Sequence, residues 1–327
     1  LAARRGAEDA ARTLLMAGAD PRAVDVDGVE ALHMAASHGQ YRLVTDLLLR
    51  GAKVNDASNN GNLAIHQAAI HGHSKTVCTL LASRADAEAL NEDGDSPLLL
   101  AVHGGHVCAA EKLLAFGVDI SMRYSSDISP TRSVSVLGIA SLMCDAAMVE
   151  LLLEHGADIR SRPDGWNALH CVADAPPPPD DDGDGAGVVR ALVNAGADIH
   201  SAFEGSWTPL LMAARGENTS SDVMRALIQE GANLEARGIY GRTPLHETCR
   251  CLNVEAVELL LRHGADETAL MYSTSGHGRL TPAGLVSAHL ETEENEESIA
   301  DCYRLLEMLA RVPADRAWRR RGWLVLA

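Results

Sequence analysis

Three stretches decide how this sequence is read: Gly28-Val29-Glu30-Ala31-Leu32-His33-Met34-Ala35-Ala36, Gly165-Trp166-Asn167-Ala168-Leu169-His170 and Gly241-Arg242-Thr243-Pro244-Leu245-His246. They are variants of one line, and each is followed downstream by a Leu pair and Gly-Ala-Asp or a near copy, as in Leu152-Leu153-Glu154-His155-Gly156-Ala157-Asp158. The Gly after the Leu pair recurs as Gly18, Gly51, Gly117, Gly156, Gly196, Gly231 and Gly264, with Arg84 in the same place. The steps are 33, 33, 33, 39, 40, 35 and 33 residues. A second ladder, Gly28, Gly61, Gly94, Gly165, Gly205 and Gly241, keeps phase with the first. Two phased ladders of this period mean stacked supersecondary units.

Each unit carries its own start and stop signals. Thr208 and Thr243 suit a helix N-cap, Pro209 and Pro244 have the fixed φ of a first helical turn, and the Gly after the Leu pair suits a left-handed C-cap. The pairs Ala35-Ala36, Ala68-Ala69 and Ala213-Ala214 let neighbouring helices approach, while the Leu pairs fill the seam between layers. One helix-turn-helix unit cannot bury its apolar face alone, so stacking is obligatory.

The pattern resembles the ankyrin repeat family across nearly the whole chain. That resemblance implies an all-α, right-handed solenoid of stacked helix-turn-helix units with short hairpin fingers, no central sheet, and a protein partner. The chain divides into a half repeat at 1–25, about seven repeats over 26–278 starting near 26, 59, 92, 126, 163, 203 and 239, and a divergent last unit at 279–312. The half repeat lacks its hairpin and most of its inner helix, so that end is expected to fray or self-associate unless capped. Residues 313–327 form a basic and apolar cap or tail, with Trp318, Arg319, Arg320, Arg321 and Trp323.

Composition narrows the function classes. With 327 residues, 46% hydrophobic, and only 4 Trp, 5 Tyr and 2 Phe, the core is built from Leu, Ala, Val and Ile, which disfavours an aromatic-rich β-sandwich. The formal charge of −17 repels phosphate backbones and anionic membranes, so nucleic acid and membrane are not expected as partners. Seven cysteines are too few and odd in number for a disulfide framework, which points to a reducing compartment and a cytoplasmic or nuclear location. No apolar run approaches the roughly 20 residues of a membrane helix. A monomer is expected.

Two insertions break the period. One, around Tyr124-Ser125-Ser126-Asp127-Ile128-Ser129-Pro130-Thr131-Arg132, falls in a finger; the other, Pro176 to Gly185, separates the helices of one repeat and is expected to protrude from the edge opposite the fingers. Because it adds no seam residue, its removal is expected to leave folding intact. Asp180, Asp182, Asp184 and Gly185 match four positions of a calcium loop, but Ala191 stands where the bidentate Glu is needed and four prolines replace the entering helix. The expectation is a solvated acidic loop without calcium. His246, Cys249 and Cys251 could suggest a metal, yet His246 is the motif histidine and Cys249 a small packing residue, so no metal or other cofactor is expected. No nucleophile-base arrangement is legible, and the chain is not expected to be an enzyme.

The histidines sort by position. His33, His66, His170 and His246 occupy the Leu-His place, where the resemblance implies that the imidazole ties hairpin to helix start. His155 and His263 precede the C-capping Gly, where a cation suits the helix dipole. His38, His71 and His103 fall on inner helices facing the groove, beside Ile70. The leading reading is a non-catalytic protein-recognition scaffold. The alternative is a substrate-recruiting or regulatory segment of a longer enzyme such as a ubiquitin ligase or kinase. Trp166, Phe203, Trp207 and Tyr240 fall in the fingers of three consecutive repeats beside Ile239 and Arg242, residue types that dominate interface hot spots. They form the expected partner patch, with His38, His71 and His103 next.

Overall fold

The structure is a computed structural model. It describes residues 8–121, 123–126, 129–161, 165–176, 183–203, 206–216, 221–272, 279–293 and 295–325, with backbone only at 123–133 and beyond 312. The chain forms two compact units, Leu1–Asp164 and Gly165–Ala327.

The first unit opens with α1 (Glu8–Met16), the outer helix of the half repeat. Four inner-outer pairs follow: α2 (Ala31–Ser37) with α3 (Tyr41–Leu49), α4 (Ala64–Ile70) with α5 (Ser74–Ala82), α6 (Pro97–His103) with α7 (Val107–Phe116), and α8 (Val136–Leu142) with α9 (Ala146–Glu154). The first insertion lengthens its finger into an antiparallel ribbon of β1 (Arg123–Ser126) and β2 (Ser129–Ser135), with Arg123 opposite Ser135 and Tyr124 opposite Val134. The second unit pairs α10 (Ala168–Asp174) with α11 (Gly185–Asn194), α12 (Pro209–Arg215) with α13 (Ser221–Gln229), α14 (Pro244–Arg250) with α15 (Val254–Arg262), and α16 (Pro282–Leu290) with α17 (Glu296–Val325). Its fingers carry a 3-10 turn at Ile239–Gly241 and a small ribbon of β3 (Met271–Tyr272) on β4 (Arg279–Leu280).

Within each unit inner helices stack on inner and outer on outer, as α2 on α4 and α11 on α13. The Ala pairs at 35–36, 68–69 and 213–214 are buried between inner layers, and Leu47, Leu80, Leu113 and Leu152 fill the seam. Thr208 caps α12 by accepting from the Leu211 N–H at 3.3 Å. The glycines after the Leu pairs all take left-handed φ, between 86° at Gly156 and 97° at Gly264. Arg84 adopts the same hand at φ 65°, so the cap geometry holds even where the sequence lacks Gly. The backbone of α17 runs through Pro313 to Val325, so the tail expected from 313 begins as a continuation of the last outer helix.

Of the second insertion, residues 177–182 lie outside the described residues, and with them Asp180 and Asp182 of the calcium pattern. Asp184 has a structural role, because its carboxylate accepts from the Gly187 N–H at 2.6 Å and caps α11, whose first residue, Gly185, is buried. The cap changes the expectation for removing the whole insertion from Pro176 to Gly185. Deleting 177–182 leaves melting unchanged, whereas extending the deletion through Gly185 costs about 1 kcal/mol, the typical value of a lost N-cap. Thermal melting of the two deletions checks this; equal melting would deny Asp184 its capping role.

Candidate functional site

The four motif histidines are structural. The ring of His66 accepts from the Leu63 N–H through Nδ1 at 2.9 Å, which leaves Nε2 to donate to the Ala89 carbonyl of the next repeat at 2.9 Å. His246 does the same with Thr243 and, at 3.3 Å, Leu280, and His170 reaches the Trp207 carbonyl at 3.1 Å. All four are buried, and burial lowers the pKa of His33, His66 and His246. His155 and His263 turn Nδ1 onto carbonyls of their own helices, Leu151 and Leu259, at 3.0 and 2.8 Å.

The groove histidines of the first unit are exposed at the ends of their inner helices. His38 and His71 bind the carbonyls of Met34 and Gln67 through Nδ1 at 2.8 and 2.9 Å, so both rings are held against their own helices. His103 ends α6, and Ile70 is half-buried. The rings of His71 and His73 stack 6.1 Å apart, and His73 reaches back to the Ser37 carbonyl at 3.0 Å. Burial lowers the His73 pKa, and the neighbouring His71, His106 and His38 lower it further. Between α1, α2 and α3 an apolar groove of about 320 Å³ is lined by residues such as Leu15, Val29, Met34 and Leu43, with Asp20, Asp25 and Glu30 as its acidic groups.

The aromatic residues singled out in the second unit divide into two sets. Trp166, half-buried, packs edge-on against Phe203 at 5.4 Å and tilted over His170 at 6.4 Å, so it joins one finger to the next. Trp207 is half-buried, with the Arg215 guanidinium 5.2 Å from its ring centre. Tyr240 and Ile239 stand out, 52% and 43% exposed. Arg242 lies over the Tyr240 ring at 5.6 Å and reaches the buried Glu247 carboxylate at 3.4 Å, which Arg250 also holds at 2.9 Å.

The sequence reading missed the next finger. Tyr272, 60% exposed, carries Arg279 at 5.6 Å and lies against Gly241, and Leu270 beside it is 41% exposed. Arg237 ties the two fingers by donating to the carbonyls of Gly241 and Leu270 at 3.1 and 2.8 Å. The available signal was spacing, since Tyr272 falls 32 residues after Tyr240. The exposed rings of Tyr240 and Tyr272, each with an arginine over it, lie on adjacent fingers.

Burial pushes the Cys249 thiol up to about 12, and the Cys251 thiol donates to the Arg215 carbonyl at 3.1 Å. Among the described residues no group of three or more His, Cys, Asp or Glu is placed to hold a metal ion. Among them, too, no helix is long and apolar enough to cross a membrane.

Comparison with known proteins agrees with the fold. A family model described as ankyrin repeats (3 copies) matches residues 1–91 and 182–271, and a single ankyrin repeat matches 93–124. Residues 125–181, which hold most of both insertions, are outside these matches. The ankyrin repeat domain-containing protein M-T5 of Myxoma virus is 27% identical over 177 residues, covering 51% of this chain and 35% of that protein. An ankyrin repeat and LEM domain-containing protein 1 homolog of Caenorhabditis elegans is 46% identical over 55 residues, 17% of this chain and 8% of that protein. The chain therefore spans about a third or less of these curated relatives. The crystal structure of the human ASB11 ankyrin repeat domain superposes with a TM-score of 0.58 at 22% identity, covering 72% of this chain and 98% of that one. Ankyrin repeats are in general protein-interaction modules, and their fold is in general non-catalytic. With the family model matching more than half of its length, and with capped helix pairs stacked in each unit, the chain belongs to the ankyrin repeat family.

Proposed function

We propose that this chain is a non-catalytic protein-interaction scaffold whose main contact surface is formed by the fingers and inner-helix ends of the second unit, with Ile239 and Tyr240 at its centre. The observation that carries the reading is Tyr240. Its ring is half-exposed, yet its backbone sits in the left-handed region at φ 59° and ψ 17°, where Gly is favoured and an aromatic residue is strained. A ring kept exposed at a stability cost is better explained by recognition than by folding. Trp166 and Phe203 support this surface through their mutual packing, while His38, His71 and His103 form a secondary surface in the first unit.

Tyr240→Gly separates the two roles, because it removes the ring and relaxes the backbone together. Expected is melting equal to or above that of the wild-type chain, with loss of the proteins captured by the wild-type chain and identified by mass spectrometry. Trp166→Ala is expected instead to lower melting by about 1 to 3 kcal/mol in stability, since a half-buried ring is removed from a packed junction. Leu49→Ala, at an 80% exposed outer-helix position, is the control that leaves capture intact. Unchanged capture by Tyr240→Gly would place the contact surface elsewhere.

A further inference from the structure

Three successive repeats of the second unit each place an arginine over a finger aromatic ring. Arg215 lies over Trp207 at 5.2 Å, Arg242 over Tyr240 at 5.6 Å and Arg279 over Tyr272 at 5.6 Å. The rings fall one to a repeat: Tyr240 and Tyr272 stand 9 and 8 residues after the capping Gly231 and Gly264, whereas Trp207 stands 11 after Gly196 and is reached by Arg215 from the end of its inner helix. Arg215 and Arg279 are exposed, and among the described residues neither pairs with a carboxylate. Arg242 is fixed by Glu247, and the same carboxylate orients Arg250.

Charge is distributed to match. In the finger and inner-helix halves at 203–216, 237–251 and 270–290, the sequence has Arg215, Arg237, Arg242, Arg250 and Arg279 against only Glu204 and Glu247. The first three such stretches of the first unit, 26–38, 59–71 and 92–103, hold Asp27, Glu30, Glu92, Asp93 and Asp95 and no Lys or Arg, and the fourth, 126–142, holds one of each sign, Asp127 and Arg132. On a chain of net charge −17, this strip is a local reversal of sign. Structural packing of arginines over rings does not call for it, because packing needs no excess of one charge.

We infer that the strip binds an extended acidic peptide segment, with a carboxylate at about every third residue lying against one arginine-aromatic pair per repeat. The inference rests on the protein-binding reading above and adds the chemistry of the partner. The spacing follows from two lengths: packed helix layers lie about 8–10 Å apart, and an extended chain advances about 3.3 Å per residue. Guanidinium groups held in place by ring stacking present donors to carboxylates with little left to order on binding.

The test uses the full chain and a fluorescein-labelled twelve-residue peptide with Glu at every third position, read by fluorescence anisotropy. Expected are saturable binding, weakening of about tenfold between 50 and 250 mM NaCl, and loss of binding with the Gln counterpart. Arg215→Glu with Arg279→Glu is expected to weaken binding about a hundredfold with unchanged melting, since both side chains are exposed. The peptide should also slow alkylation of Cys251, which lies between Arg215 and Arg250, and leave the exposed Cys78 and Cys108 unaffected. Equal binding of the Gln peptide, indifference to the double reversal, or no binding at all would overturn acidic recognition. Tighter binding of a single-stranded oligonucleotide than of the Glu peptide would overturn it in favour of a general polyanion site. Capture by wild-type against Tyr240→Gly chain is a separate readout, so the scaffold reading can stand if the acidic partner fails.

Discussion

Replacing Leu152 by Ala is expected to destabilise the first unit by about 2 to 5 kcal/mol, the range for truncating a fully buried Leu. Leu152 has no exposed surface in α9, where it fills the seam between layers. Because a solenoid is held by repeat interfaces rather than one central core, the loss should appear first as faster hydrogen exchange in α9 and the adjacent outer helix α7, which packs against it. Urea unfolding of Leu152→Ala beside Leu49→Ala measures the difference. The latter, on an exposed outer-helix face, should change stability by no more than about 0.5 kcal/mol. Similar losses in both would mean that the seam and solvent faces are interchanged.

Mild acid should unfold the chain. His33, His66 and His246 are buried, and burial lowers their pKa from the ordinary 6.5. The hydrogen bonds of His66 and His246 need one ring nitrogen as acceptor and the other as donor, which is the neutral form, while His33 accepts from the Glu30 N–H through Nδ1 and its buried Nε2 has no hydrogen-bond partner among the described residues. The unfolded chain takes up protons near pH 6.5 while the folded chain does not, so the stability from these rings is complete above that pH and falls as pH drops below it. Each ring contributes a slope of up to about 1.4 kcal/mol per pH unit, so three together approach about 4 kcal/mol per unit. Glu30 works in the opposite direction: burial, and Asp56 beside it, raise its carboxyl pKa, so protonation there favours the fold. One carboxyl against these three rings and His73, whose pKa burial also lowers, leaves the net loss in acid. Urea midpoints from pH 7.5 to 5.5 at fixed ionic strength check the slope, and His66→Asn should flatten it by about one ring's share. A flat profile would show that the rings are protonated in the fold.

The sequence alone determined the repeat, its capping and its seam. Helix starts at Thr208 and Thr243, left-handed stops at the glycines, and the buried Ala and Leu columns all follow from local stereochemistry and from a period that places equivalent residues in register. Arg84 shows the strength of that constraint, since the period assigned it a glycine's place and the backbone there is left-handed. The finger aromatics were legible as a set, but their roles were not. Tertiary structure decided that Trp166 turns into the junction with Phe203 while Tyr240 remains exposed, because the gap between adjacent fingers fixes which ring is covered. It also decided that Arg242 serves Glu247 as well as Tyr240, and that Arg215 reaches Trp207 from the far end of its helix. The Tyr272–Arg279 pair emerged only when β3 and β4 were formed, since the seven positions separating the two residues in sequence give no sign that one lies over the other. Periodicity specifies which residues share a column; the distances across neighbouring layers specify which of them touch.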